Sequence, residues 1–177
     1  MRTRSLLAAI AAGTLTFGIA SPASAATSGV TTASITVLGG SLSITVPSDA
    51  GNLGTQIDTV SGGTVGGPLG QIQVSDARGA AAGSGWVASV ISSAFTPPAG
   101  PAIAASAVSY AAGPIAKVGT ATYTANNPAN LTGVVPAVTA TGITGDNSAT
   151  WNPTINVAVA GGMAAGVYSA TITHSVV

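Results

Sequence analysis

The chain has 177 residues, no cysteine, and only four basic and four acidic side chains. So few cations exclude a surface that tracks a nucleic acid backbone, which needs several Lys or Arg to release counterions. Without cysteine there is no thiol catalysis, no Cys zinc site, no iron–sulfur cluster and no disulfide framework.

Arg2 and Arg4 form a positive n-region, "LLAAIAAGTLTFGIA" (6–20) an apolar h-region, and "ASA" (23–25) a small-residue cleavage site. Together they read as a secretory signal peptide over residues 1–25. An uncleaved N-terminal anchor is the competing reading, but the apolar run falls short of the ~18 residues of a membrane span. No span is expected in the mature chain. Residues 26–177 then make a single domain, large enough to fold without a covalent staple. They keep Arg78 and Lys117 against Asp49, Asp58, Asp76 and Asp146, two cations against four anions for a net of −2. A surface so poor in charge suits a chain embedded in a matrix or paired with other chains.

Apolar residues in the mature chain alternate in short runs broken by Gly, Pro, Asn and Ser, which is the signal of strands. In "SITVLGGSLSITV" (34–46), a two-residue turn at Gly39-Gly40 would set Val37 opposite Leu42 and Ile35 opposite Ile44. "SGGTVGGPLG" (61–70) is glycine-rich enough to read as a mobile loop. "LGQIQVSD" (69–76) puts Ile72 and Val74 on one face, Gln71 and Gln73 on the other. Between 95 and 150 the alternation weakens and prolines stand at 97, 98, 101, 114, 128 and 136. Shorter strands and edge segments are expected there. "TINVAV" (154–159) aligns Ile155, Val157 and Val159. "VYSATITHSV" (167–176) aligns Tyr168, Ala170, Ile172, His174 and Val176 against a Ser/Thr face. No segment supports a substantial helix. The expected fold is all-β: an antiparallel β-sandwich, or barrel-like sandwich, of about eight to ten short strands.

Hydrolytic catalysis needs an acid or base within reach of a nucleophile or a second carboxylate. The only imidazole, His174, alternates with apolar residues on what should be the buried face, so a core histidine is expected. Four dispersed aspartates give neither a paired-carboxylate site nor the dense oxygen ligands of a calcium loop. "GDNS" (145–148) reads as a turn, and "GGTVGG" (62–67) lacks the Lys and helix of a phosphate loop. No enzyme activity, metal or cofactor is expected.

Asp76, Arg78 and Trp86, in "VSDARGAAAGSGWVASV" (74–90), are the candidate binding residues, with Trp151 in "ATWNPT" and His174. Two readings are open. In one, Asp76 ends a strand, Arg78 and Gly79 turn the chain, and each Trp anchors the core. In the other, a partly exposed aromatic beside a charge pair grips a sugar or a partner chain.

"LGQIQVSDARG…GSGWVASV" followed far downstream by "SATWNPTINVAVAGGMAAGVYSATITHSV" resembles the WxL domain of Gram-positive surface proteins, in a divergent, secreted branch of actinobacterial type. In that family a V-x-D-x-R-G run leads to a first Trp-x-Leu, and a G-x-Y-x-A-T-[IL]-T strand carries the second. Here the first motif reads Trp86-Val87-Ala88 and the second falls on His174-Ser175-Val176, so only Trp86 carries over. The resemblance implies an all-β domain that associates non-covalently with the cell wall through peptidoglycan or with other surface proteins. The chain stops at Val177 without a sorting motif, hydrophobic tail or basic terminus, which agrees with non-covalent attachment. The replacement of Trp by His makes His174 a candidate pH-sensitive position, since imidazole titrates near neutrality. The alternative expectation is a self-associating extracellular matrix protein joined at sheet edges, motivated by the scarcity of charged gatekeepers.

Overall fold

The structure, a computed structural model, describes residues 30–177; the leader expected over 1–25 lies outside them. Two compact units divide the chain, Met1–Thr36 and Val37–Val177. Of the first, residues 30–36 form neither helix nor strand, and every described element belongs to the second.

Among the described residues, eight antiparallel strands build two sheets. β1 (Leu42–Thr45), β3 (Ile72–Ser92), β5 (Ile115–Ala125), β6 (Val135–Trp151) and β8 (Ile172–Val176) make the larger, in the order β1-β3-β6-β5 with β8 also beside β3. β2 (Gly63–Pro68), β7 (Thr154–Val159) and β4 (Val108–Ala111) make the smaller, in the order β2-β7-β4. A 3-10 turn at Ala105–Ala107 is the only helical element among the described residues. The sheets pack against each other as the expected all-β sandwich.

The alternation explains which faces meet. Ile72 and Val74 of β3 and Ile155 and Val157 of β7 are buried, while Gln73 and Asn156 between them are exposed. From Tyr168 to Val176 the even-numbered residues are half-buried and the odd-numbered ones exposed. Each strand thus offers one apolar face to the space between the sheets, and removing that face from water drives the assembly.

Four expectations are corrected. The Gly39-Gly40 hairpin does not form, because neither glycine has the positive φ that such turns favour. Leu42 to Thr45 instead pair with Asp76 back to Gln73 of β3. The Gly40 N–H donates to the Ala77 carbonyl at 2.5 Å, and a Cβ at Gly39 would stand 2.5 Å from the Arg78 carbonyl oxygen. These glycines serve close backbone approach. The glycine-rich 61–70 segment is no loop either, since Gly63 to Pro68 pair with Val159 back to Thr154. A Cβ at Gly66 would lie 2.6 Å from the Ile155 carbonyl, and one at Gly67 2.9 Å from that of Leu53.

The proline-rich middle does hold a short edge strand, β4, and β5 is an edge strand too, but β5 has 11 residues and β6 has 17, and β6 lies inside the larger sheet. Pro136 is the one proline of that region within a strand, and it sits where the β3–β6 register slips between Ala88 and Ser89. A slip of this kind tolerates the missing N–H. Finally, β3 runs unbroken for 21 residues through the point where Arg78 and Gly79 were expected to turn the chain.

A hydrogen bond joins the two sheets at the end of β6. Trp151 Nε1 on β6 donates to the Tyr110 hydroxyl on β4 at 2.8 Å, and both residues are 2 % exposed. The Tyr110 ring also packs against His174 of β8, with ring centroids 5.7 Å apart. Replacing Tyr110 by Phe keeps that packing but leaves the indole N–H without its acceptor. The Tyr110→Phe variant should lose about 1–3 kcal/mol in urea unfolding. A loss within about 0.5 kcal/mol, the range of neutral surface changes, would mean that the bond does not help hold the sheets together.

Candidate functional site

Residues i and i+2 of a strand share a face, so Arg78 can fold its side chain back onto Asp76. It does so as a two-pronged fork: Nε donates to Asp76 Oδ1 at 2.8 Å and Nη2 to Oδ2 at 3.0 Å. The Arg78 backbone N–H adds a bond to Oδ1 at 3.2 Å, and Asn147 Nδ2 one to Oδ2 at 3.2 Å. Asp76 is 2 % exposed, and these four donors take the place of the water it has lost.

The same fork shapes β3. Arg78 Nη2 also donates to the Gly85 carbonyl at 3.2 Å, a reach across seven residues that a straight strand would forbid. The ladder slips three times here, so that Asp76 faces Asn147 but Trp86 faces Ala140. Gly79 and Gly83, at φ +62 and +90, carry the backbone through the outward bulge. The expected turn at Arg78 and Gly79 is therefore a bulge within one strand, closed at its base by the guanidinium. On the far side, Asp146 Oδ1 accepts the Gly79 N–H at 3.0 Å.

Asn147 carries the network inward. Its Oδ1 accepts Trp86 Nε1 at 3.0 Å and the Tyr123 hydroxyl at 3.2 Å; Tyr123 shares its proton with the Ser148 carbonyl at 3.3 Å. The Trp86 and Tyr123 rings lie 5.8 Å apart and tilted, a favourable edge-to-face range. The segment 145–148, expected as a turn, is β-strand throughout. There Asn147, Ala149 and Trp151 line one buried face.

Of the five candidate residues, Asp76, Arg78 and Trp86 come together, while Trp151 and His174 meet Tyr110 elsewhere in the core. Both tryptophans are 2 % exposed, which corrects the reading of a partly exposed aromatic able to grip a sugar. Each ring is instead buried with its N–H satisfied. His174 is also internal. Its Nε2 is buried with no hydrogen-bond partner, which suits the bare lone pair of a neutral imidazole better than an N–H. Among the described residues, no three His, Cys, Asp or Glu side chains gather as a metal site would need, and no helix is long and apolar enough to cross a membrane.

Electrostatics follow the geometry. The Arg78 fork, opposed in part by burial, holds the Asp76 carboxyl down at about 2, and the carboxylate raises Arg78 in return. Burial pushes the Tyr110 hydroxyl up to about 12. Burial also lowers His174 to about 4, which moves it well away from the neutral range expected for a switch.

Two acid windows follow. Between pH 6.5 and about 4 the unfolded imidazole takes up a proton that the folded one refuses, so stability should fall as pH drops through this range. Between about 3.8 and 2 the unfolded Asp76 carboxyl is protonated while the folded one resists, so stability should fall again. The urea midpoint measured from pH 7 to 2 should show both declines. His174→Leu should flatten the first and Asp76→Asn the second; a variant that keeps its decline would contradict the assignment.

No protein-family model matches the chain, and neither a curated protein nor a solved structure matches it.

Proposed function

We propose that the chain is a secreted, non-enzymatic surface protein that associates non-covalently with the Gram-positive cell wall through peptidoglycan. The supporting observation is that the two sequence blocks resembling WxL domains are far apart in the chain yet adjacent in space. Ala88 and Val90 of β3 stand opposite Val176 and His174 of β8, and Val87 and Val177 exchange both backbone hydrogen bonds, at 2.8 and 3.1 Å. Trp86-Val87-Ala88 and His174-Ser175-Val176 thus form one patch of the larger sheet. A non-catalytic role agrees with the surroundings of His174, whose ring packs on Tyr110, and with the commitment of Asp76 to Arg78.

Co-sedimentation of the purified protein with isolated Gram-positive walls tests the reading. The protein should pellet with walls and stay in solution without them. If it remains in the supernatant with walls present, the reading is wrong.

A second reading, self-association through sheet edges, is favoured by β5. The other edge strands, β1, β2, β4 and β8, have four to six residues. β5 has 11, pairs among the described residues only with β6, and carries one charge, Lys117, beside an exposed Val118. A long, weakly charged edge is a template for another strand. Sedimentation velocity over a concentration series should then show assembly that Val118→Lys suppresses. A monomer at every concentration would remove this reading and leave the first untouched.

A further inference from the structure

We propose that residues 34–38 of one copy dock as an added strand on the open edge of β5 in a neighbouring copy, so that chains join head to tail. The proposal rests on the second reading above, self-association through sheet edges, and names the segment that the edge of β5 receives.

The donor is the stretch ahead of β1. Just before that strand the Gly40 N–H is still bonded to the Ala77 carbonyl. Ahead of it, residues 30–39 are exposed and form neither helix nor strand. The stretch nevertheless carries the pattern of one, with Ile35 and Val37 alternating with Ser34 and Thr36, and Ile, Thr and Val are residues that strands favour. Ile35, Val37 and Leu38 are 90, 85 and 87 % exposed. A single exposed apolar side chain is ordinary, but three so close together on unpaired backbone suit addition to another sheet.

The acceptor fits this pattern. β5 pairs among the described residues with β6 alone, and its register slips between Val118 and Thr122. Beyond the slips, residues 122–125 pair regularly with Thr141 back to Val138. Tyr123 and Ala125 pack against the core there, while Thr122 and Thr124 are exposed. A strand laid beside this run, with Ile35 and Val37 on the side of Tyr123 and Ala125, extends the apolar layer. Ser34 and Thr36 then continue the hydroxyl-bearing face. Neither run contains a charge, so the pairing leaves none stranded.

Topology makes the contact one between copies. β1 and β5 lie at opposite edges of the sheet, in the order β1-β3-β6-β5. A segment entering beside β1 reaches the far edge of its own sheet only by crossing a face, whereas a neighbouring copy presents that edge directly. Only Gly39 and Gly40 tether the donor to β1, too short a link for two copies to exchange segments both ways. Each copy therefore gives to one neighbour and receives from another, a heterologous contact that does not close on a pair.

Sedimentation velocity over a concentration series tests the pairing with two variants. One blocks the donor (Ile35→Ser, Val37→Ser) and the other blocks the edge (Thr122→Lys, Thr124→Lys). All four sites are exposed, so thermal melts should match wild type. Wild type should grow past dimers, and either variant alone should need at least about tenfold higher concentration to associate. An equimolar mixture of the two should form a dimer and stop, because one intact donor meets one intact edge. A donor-blocked variant that assembles like wild type overturns the proposal and leaves association through sheet edges standing. So does a mixture that stays monomeric when wild type assembles. If wild type is monomeric at every concentration, the proposal and the reading beneath it both fail.

Discussion

A buried carboxylate is the constraint around which the larger sheet is organised. Asp76 is almost wholly removed from water, and an ionised group in that position must be matched by donors or it neutralises. Arg78, two residues on, supplies a planar fork from the same strand, and Asn147 supplies an amide from β6. Because Arg78 also reaches the Gly85 carbonyl, satisfying the charge bends β3 outward and returns it in a shifted register. Because Asn147 also accepts from Trp86 and Tyr123, the largest side chain of β3 takes its position from the same group. A feature with the look of a ligand site is thus an internal clasp.

The second organising contact joins the sheets. Trp151 and Tyr110 bring β6 and β4 together through one buried hydrogen bond, and His174 fills the space beside them as a neutral ring. Polar chemistry inside the sandwich is therefore spent on holding strands in place. What remains for contact with other molecules is outside: hydroxyl-bearing strand faces, one long open edge, and very few charges.

Much of this was legible in the sequence where one face of a strand is buried, because burial imposes a period of two. Ile72 and Val74, Ile155 and Val157, and the series from Tyr168 to Val176 all announced their orientation. The glycine segments were opaque for a physical reason. Gly39, Gly66 and Gly67 are needed by backbones that approach from elsewhere in the chain, and local sequence does not contain those neighbours. β6 was hidden because Gly142 and Gly145, both at positive φ, shift the parity of its alternation. Past those bulges the pattern returns, and Asn147, Ala149 and Trp151 could have been read as one face. The Asp76–Arg78 pair was visible as an i, i+2 spacing. Its continuation to Asn147 was not, since that contact joins residues 71 positions apart in the chain. Burial of Trp86 also depends on this distant partner, which gives its N–H an acceptor and lets the ring leave water.

The central claim, that Asp76 and Asn147 act together as an internal clasp, is tested most directly by a double-mutant cycle. Unfolding free energies of wild type, Asp76→Ala, Asn147→Ala and the double variant would be measured at neutral pH. The clasp predicts a coupling between the two sites on the order of 1–3 kcal/mol. Additive losses, with coupling within about 0.3–0.5 kcal/mol, would contradict it and return Asp76 and Arg78 to consideration as a site for an external ligand.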